Sequence, residues 1–312
     1  MAQEQIASAA GGAAQAAPAK TPRRQLHQGW VALVFTAPFL VAYAVLFIYP
    51  SLRMVQLSFT NAPLIGAGRF VGFHNYWRLL HDGLFQGSVI NTGYFVLLTV
   101  IPVTLIGLII ALMVVRLRGW LQSVVLACFF LPYILPSTVV TQIWQWMFDI
   151  QYGIAQHLLR LIHPQGIAVF QNPYWAMPMV AIVTIWWCCG FNILLFIAGL
   201  RNIPADMYDA SALDGAGPFK QFRLITWPLI WPVTTLVLTI QLVLQLKIFD
   251  QVYLLTQGGP FNSTYVLVQY IYDQAFVLNH GGYGATVAVF LFVLIIAFSV
   301  LQYQVLRLRG AR

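Results

Sequence analysis

Gln241 and Gln245 stand four residues apart in an otherwise apolar run, which puts both amides on one face of a helix. In a second apolar run, Thr184 is followed at helical spacings of three, four and seven by Trp187, Cys188 and Phe191. Polar side chains inside long apolar segments are costly and mark ligand paths. Amides hydrogen-bond hydroxyls in both directions, and flat aromatic rings pack on the apolar faces of a sugar-like ring. These six residues could therefore hold a neutral polyhydroxylated ligand, with Gln142 and Gln145 of a third run ranking behind them. The plainer alternative is that Gln241 and Gln245 bond across packed helices, as polar residues in membranes commonly do. Covalent chemistry is not in view. The sequence has no GxxxxGK[ST] phosphate loop and no HExxH, and its six histidines sit mostly in loops. Cys128, Cys188 and Cys189 lie in apolar runs without metal spacing, and adjacent cysteines on a helix point apart rather than pair. The chain reads as no enzyme, with no catalytic residue, metal or cofactor of its own.

The elements that must position these residues follow from composition. Of 312 residues, 60% are hydrophobic and only 8% are charged. Ordinary soluble domains carry about 25% charged residues. So few charges cannot cover this much apolar surface, which excludes a large soluble globule and leaves an all-α, polytopic membrane protein. The formal net charge of +8 does not signal nucleic acid, because the basic residues are scattered at the ends of apolar runs. Six runs are long enough to span a bilayer: Trp30–Tyr49, Val89–Val115, Leu121–Met147, Trp175–Leu200, Leu224–Ile248 and Ala285–Leu306. Pro132 and Pro136 should kink the third, since proline removes a backbone donor. Residues 1–28, rich in Ala, Gln and Gly, read as a disordered tail, and residues 29–312 as one membrane domain. A cleaved signal is the competing reading of the start. The first run is longer than a signal core and has no clear small-x-small cleavage site.

Six spans put both termini on one side, and the basic residues choose which. The tail, the 116–118 turn, the 201–223 loop and the C-terminal stretch hold eleven of the sixteen Lys and Arg. Arg53, Arg69, Arg78, Arg160 and Lys247 make up the other side. The positive-inside rule places both termini and residues 201–223 in the cytoplasm, with 50–88, 149–172 and 249–284 outside.

The cytoplasmic 201–223 loop is the most polar long interruption in the second half. Residues 205–213 suit a short helix, with Asp206 and Asp209 at i, i+3. Asp214-Gly215 favours a turn, and Pro218 suits the first turn of a second helix. Two short helices at a bend make a plug that a soluble partner could hold. The stretch resembles the EAA loop of permease subunits in bacterial ABC importers. Asp209, Ala210, Ser211, Gly215, Ile225, Trp227 and Pro228 take the signature positions, with Asp for Glu, Ser for Ala and Trp for Leu as departures. Asp214-Gly215-Ala216 and Phe222-Arg223-Leu224-Ile225 resemble the carbohydrate branch, of maltose and glycerol-phosphate type. Phe249-Asp250-Gln251-Val252-Tyr253, Thr256-Gln257-Gly258-Gly259-Pro260 and Ser263-Thr264 resemble the stretch after the fifth core helix of sugar permeases.

The resemblance implies a type I importer permease fold in the bacterial inner membrane. It implies a second, different permease chain, two ATPase subunits that hold ATP and Mg, and an external solute-binding protein. It also implies that Tyr208, Asp209, Ala210, Ser211, Leu213, Asp214, Gly215 and Ala216 couple to the ATPase, with Tyr208 and Leu213 as apolar anchors. By offset from Asp209, the six residues named first fall near the positions that line the sugar site of maltose-type permeases. A secondary transporter of a small polar solute is the competing class. Such carriers usually need an ionisable residue within a span, and these span interiors hold no carboxylate. A purely structural membrane protein would leave the ordered loop unexplained.

Overall fold

The computed structural model describes residues 26–161 and 165–310. Residues 1–25 of the expected tail, His163 and Arg312 lie outside the described residues, and Leu26 already opens a helix. The chain divides into two units, up to Leu52 and from Arg53 onward. The first holds α1 (Leu26–Tyr43), a π-helical turn (Ala44–Ile48) and the start of α2 (Tyr49–Ser58). The second continues α2 and adds α3 (His74–His81), α4 (Gly83–Val114), α5 (Trp120–Ile134), α6 (Ser137–Met147) and α7 (Ile154–Arg160). It then runs through α8 (Ala176–Arg201), α9 (Ala205–Leu213), α10 (Pro218–Gln221), α11 (Trp227–Leu246), α12 (Asp250–Leu255), α13 (Leu267–Tyr272) and α14 (Gly281–Gly310). Five helical stretches among the described residues are long and apolar enough to cross a membrane, and the bent pair α5–α6 makes a sixth. The fold is the all-α, six-span membrane architecture expected.

The third span departs from the expected shape. The sequence suggests a kinked but continuous span over Leu121–Met147; α5 and α6 instead meet at 100°. The reason is local. Leu135 precedes Pro136, whose ring disfavours the helical region for its neighbour, and Leu135 sits at ψ 140. At about 1.5 Å rise per residue, the fifteen residues of α5 reach only about 22 Å, short of the roughly 30 Å hydrocarbon core. The indole Nε1 of Trp187 donates to the Leu135 carbonyl at 3.2 Å, satisfying an acceptor that the break set free.

Within the second unit α8 is central: α4, α5 and α11 all pack along it. Helices in lipid gain from close backbone approach, so small residues belong at such crossings. A Cβ on Gly190 would lie 2.1 Å from the Phe129 carbonyl oxygen of α5, and one on Gly107 of α4 would lie 2.8 Å from Asn192 Cβ. The inner core joins Val103, Ala111, Ile193, Phe196, Ile230 and Val237 from α4, α8 and α11. A second core seats α6 and α12 against α8 through Val140, Val180, Val183 and Val252.

The segment at 50–88, whose prolines and glycines argue for a loop with short helical or extended pieces, has such pieces. It carries α3 and an isolated antiparallel bridge between Thr60 and Phe70. Asp82 ends it and caps α4, its Oδ1 accepting from the Leu84 and Phe85 amides at 3.0 and 3.1 Å. Its Oδ2 accepts from the hydroxyls of Tyr270 on α13 and Tyr283 on α14, at 2.5 and 2.9 Å.

Candidate functional site

The two polar faces read from the sequence meet at one place. The structure closes a cavity of about 220 Å³ from Thr184, Trp187 and Cys188 of α8, Gln245 of α11, and Tyr133 at the end of α5. Its remaining wall is Leu244 of α11 and the chain after α11, from Lys247 to Gln251. Four of the six residues proposed for a ligand path therefore share one cavity. The other two do not line it. Gln241 is buried one helical turn below, and Phe191 stacks on Tyr133 at 5.2 Å between centroids, so it acts only through that ring.

A line of amides explains why Gln241 withdraws. Asn192 Nδ2 donates to the Val103 carbonyl of α4 at 3.3 Å, and its Oδ1 accepts from Gln241 Nε2 at 2.8 Å. Gln241 Oε1 in turn accepts from Gln245 Nε2 at 3.0 Å. The line crosses α4, α8 and α11 and ends at the cavity. Gln241 thus does what the plainer reading held: it bonds across the bundle. Gln245 is held by it and still lines the cavity. Sequence reasoning missed Asn192, although an amide four residues after Cys188 in a span carries the same signal as the two glutamines. It missed Tyr133 and Asp250 as well. Asp250 Oδ2 accepts from Ser137 Oγ at 3.1 Å, which ties the start of α6 to the cavity wall. The ring of Trp187 is partly committed too, through its bond to Leu135.

At the other end of α8, the polar loop has the expected local form. α9 covers residues 205–213 and Pro218 opens α10. Gly215 sits at φ +74; the amides of Ala216 and Gly215 reach back to the carbonyls of Ser211 and Ala212, at 2.9 and 3.0 Å. That is a Schellman close, which needs a left-handed residue where Gly215 stands. Gln221 Nε2 clips the two helices together by donating to the Tyr208 carbonyl (3.2 Å) and to Ser211 Oγ (3.0 Å). Tyr208 is half-buried, and its hydroxyl bonds Thr226 Oγ1 at 2.9 Å, turning the ring toward the foot of α11. The outward apolar groups are Met207 (42% exposed), Leu213 (91%) and, on α10, Phe219 (77%). Asp209, Ala210, Asp214 and Gly215 are exposed, while Ser211 and Ala216 are half-buried. Phe219 is the residue the sequence reading overlooked, for it falls between the signature positions Gly215 and Ile225 and belongs to no apolar stripe.

Residues 103–309 match the family described as binding-protein-dependent transport system inner membrane component. The chain is 31% identical over 279 residues to a sulfoquinovosyl glycerol transport system permease protein of Agrobacterium fabrum, covering 89% of this chain and 90% of that one. It is 29% identical over 293 residues to a trehalose/maltose transport system permease protein of Thermococcus litoralis, covering 93% and 98%. Among solved structures it is similar in fold to a chain of a bacterial ABC transporter involved in alginate import. The TM-score is 0.81 at 20% identity, over 90% of this chain and 96% of that one.

Proposed function

The chain belongs to the binding-protein-dependent transport system inner membrane components, and from that premise we propose how its residues divide the work of importing a carbohydrate. It is a multi-pass inner-membrane permease subunit of an ABC importer of the carbohydrate branch, and ATP hydrolysis belongs to separate subunits. The cavity of Thr184, Trp187, Cys188 and Gln245 is the sugar contact of this chain. Gln245 carries the reading. It is the one amide of the buried line that also lines a cavity, so its remaining hydrogen-bonding capacity serves a ligand. At about 220 Å³ the cavity is below the roughly 300–1,000 Å³ usual for small-molecule sites. A second, different permease chain completes the wall.

The α9–α10 corner is the contact through which two ATPase subunits, loaded with ATP and Mg, drive the permease. Leu213, Phe219 and Met207 enter an apolar groove there, with Asp209 at its rim. Tyr208 transmits movement of α9 to α11 through Thr226. An external solute-binding protein delivers the ligand to the opposite face, and both termini lie in the cytoplasm.

The test is uptake of labelled neutral sugars into vesicles holding the complete importer, after the ligand of its binding protein has been identified. Saturable, ATP-dependent uptake with a KM raised roughly tenfold in Gln245→Ala supports the assignment. Unchanged KM and rate per assembled complex would return Gln245 to a packing role.

A further inference from the structure

We propose that a second cavity, at the far end of α6, is an outer carbohydrate subsite on the same path; this rests on the carbohydrate reading above. The cavity holds about 590 Å³, within the range of small-molecule sites. Gln142 and Gln145 of α6 line it together with Gln171 from the turn before α8. Gln145 Nε2 is spent on the Leu254 carbonyl at 2.7 Å, whereas the side chains of Gln142 and Gln171 make no bond within the described residues. Trp146 is 58% exposed and lines the same space. Amides beside open aromatic faces suit a polyol with apolar ring faces.

The charges select against anions. Among the described residues no Lys or Arg lines the cavity, and Asp149 does. Asp149 Oδ1 builds the wall by accepting from the Gln151 and Tyr152 amides at 2.8 and 3.2 Å. Arg160, which is close by in sequence, donates its guanidinium to the Ile150 carbonyl at 2.5 Å. A carboxylated sugar would meet Asp149 directly, while the nearest described cation, Arg160, is engaged by the carbonyl of the lining residue Ile150.

One pair of short helices links the two cavities. α6 starts at Ser137, which bonds Asp250 of the inner cavity, and ends at the outer one. α12 likewise runs from Asp250 at the inner cavity to Leu255 at the outer. The two therefore lie at the two ends of one packed pair, as successive stations on one path would. The 100° break at Pro136 is what lays α6 across to make them so.

The experiment uses the complete importer in lipid nanodiscs and two photoreactive probes: a diazirine derivative of maltose and one of glucuronate. After irradiation, labelled peptides are mapped by mass spectrometry. The expected result is maltose-probe labelling within 142–152 or 168–171, reduced at least fivefold in a Gln142→Ala, Gln171→Ala double variant that assembles normally. Glucuronate labelling there should be at least tenfold weaker. Labelling confined to the inner cavity peptides would overturn the outer subsite while leaving the proposed function standing. Labelling at neither cavity would count against both. Outer labelling that the double variant leaves intact, or that glucuronate matches, would mean an unspecific surface and would also overturn it.

Discussion

Asn192, Gln241 and Gln245 are chemically alike, and their positions in the amide line give them different consequences. Asn192→Ala removes the partner of Gln241 Nε2 and of the Val103 carbonyl in a buried, lipid-surrounded crossing. Each buried polar group left without a partner costs about 1–3 kcal/mol. The expected outcome is lower yield of assembled complex and earlier thermal unfolding in detergent, with the KM of surviving complexes unchanged. Gln245→Ala frees only one buried acceptor, Gln241 Oε1, and it does so beside a cavity that can admit water, so it should lower yield less than Asn192→Ala and should raise KM. Measuring yield, melting and uptake side by side separates the two; matching behaviour of the variants would dissolve the distinction. The sequence made the glutamine pair legible through its spacing of four. It could not show which glutamine lines the cavity, because that depends on where α8 crosses α11. Phe191 failed for a related reason. Its spacing from Thr184 is helical, yet Tyr133 of α5, far away in sequence, occupies the space between it and the cavity.

At the scale of elements, the α9–α10 corner was readable because its determinants are local: a left-handed glycine, a proline at a helix start and a bend between them. A Cβ on Gly215 would meet open space, so only its φ of +74 resists substitution. Gly215→Val should therefore cost about 1–3 kcal/mol of local strain. It should leave the spans inserted and lower uptake per ATP hydrolysed. Gly215→Asn, which tolerates the left-handed region, should retain most coupling. Equal loss in both variants would point to contact with the side-chain position rather than to the turn. Leu213→Asp should release the ATPase in pull-down, whereas Asp209→Ala should matter less, since exposed charge pairs contribute little. The α5–α6 break was only half legible. Proline placed it, but the angle is set by the seating of α6 on α8 and α12 through Val140 and its neighbours. Asp82 joins elements in another way, linking the start of α4 to α13 and α14. Burial raises its carboxyl pKa, but bonds from Tyr270, the Phe85 amide, Tyr283 and the Leu84 amide together hold it below the ordinary value. A depressed carboxylate contributes stability above the unfolded pKa and loses it as pH falls through the folded one. The purified complex should thus lose order where α4, α13 and α14 meet at Asp82 below about pH 4, the ordinary aspartate range. Asp82→Asn keeps the Oδ1 cap but faces two tyrosine hydroxyls with an amide, and its melting temperature should be lower and flatter across that acid range.

The whole molecule poses the question of which way it faces. An ATP-driven permease needs its ATPase contact in the cytoplasm and its ligand delivery on the other side. The two ends proposed for these contacts are set apart along α8: the 201–223 corner follows its last residue, and the larger cavity draws on the turn before its first. Charge supplies the direction. Arg116, Arg118, Arg201, Lys220 and Arg223 cluster at the corner's end of the spans, whereas the opposite segments hold Arg53, Arg69, Arg78, Arg160 and Lys247 spread over a much greater length. Short, densely basic loops resist translocation, so the corner should stay in the cytoplasm. Single cysteines introduced at Gly217 and at Phe261, in a variant lacking Cys128, Cys188 and Cys189, provide the check, since both positions are exposed. In right-side-out vesicles a membrane-impermeant maleimide should label the Phe261 position and spare the Gly217 position. Inverting the vesicles should reverse the pattern. External labelling at position 217 would place the corner out of reach of any cytoplasmic ATPase, and the coupling role assigned to Leu213, Phe219 and Gly215 would fall with it.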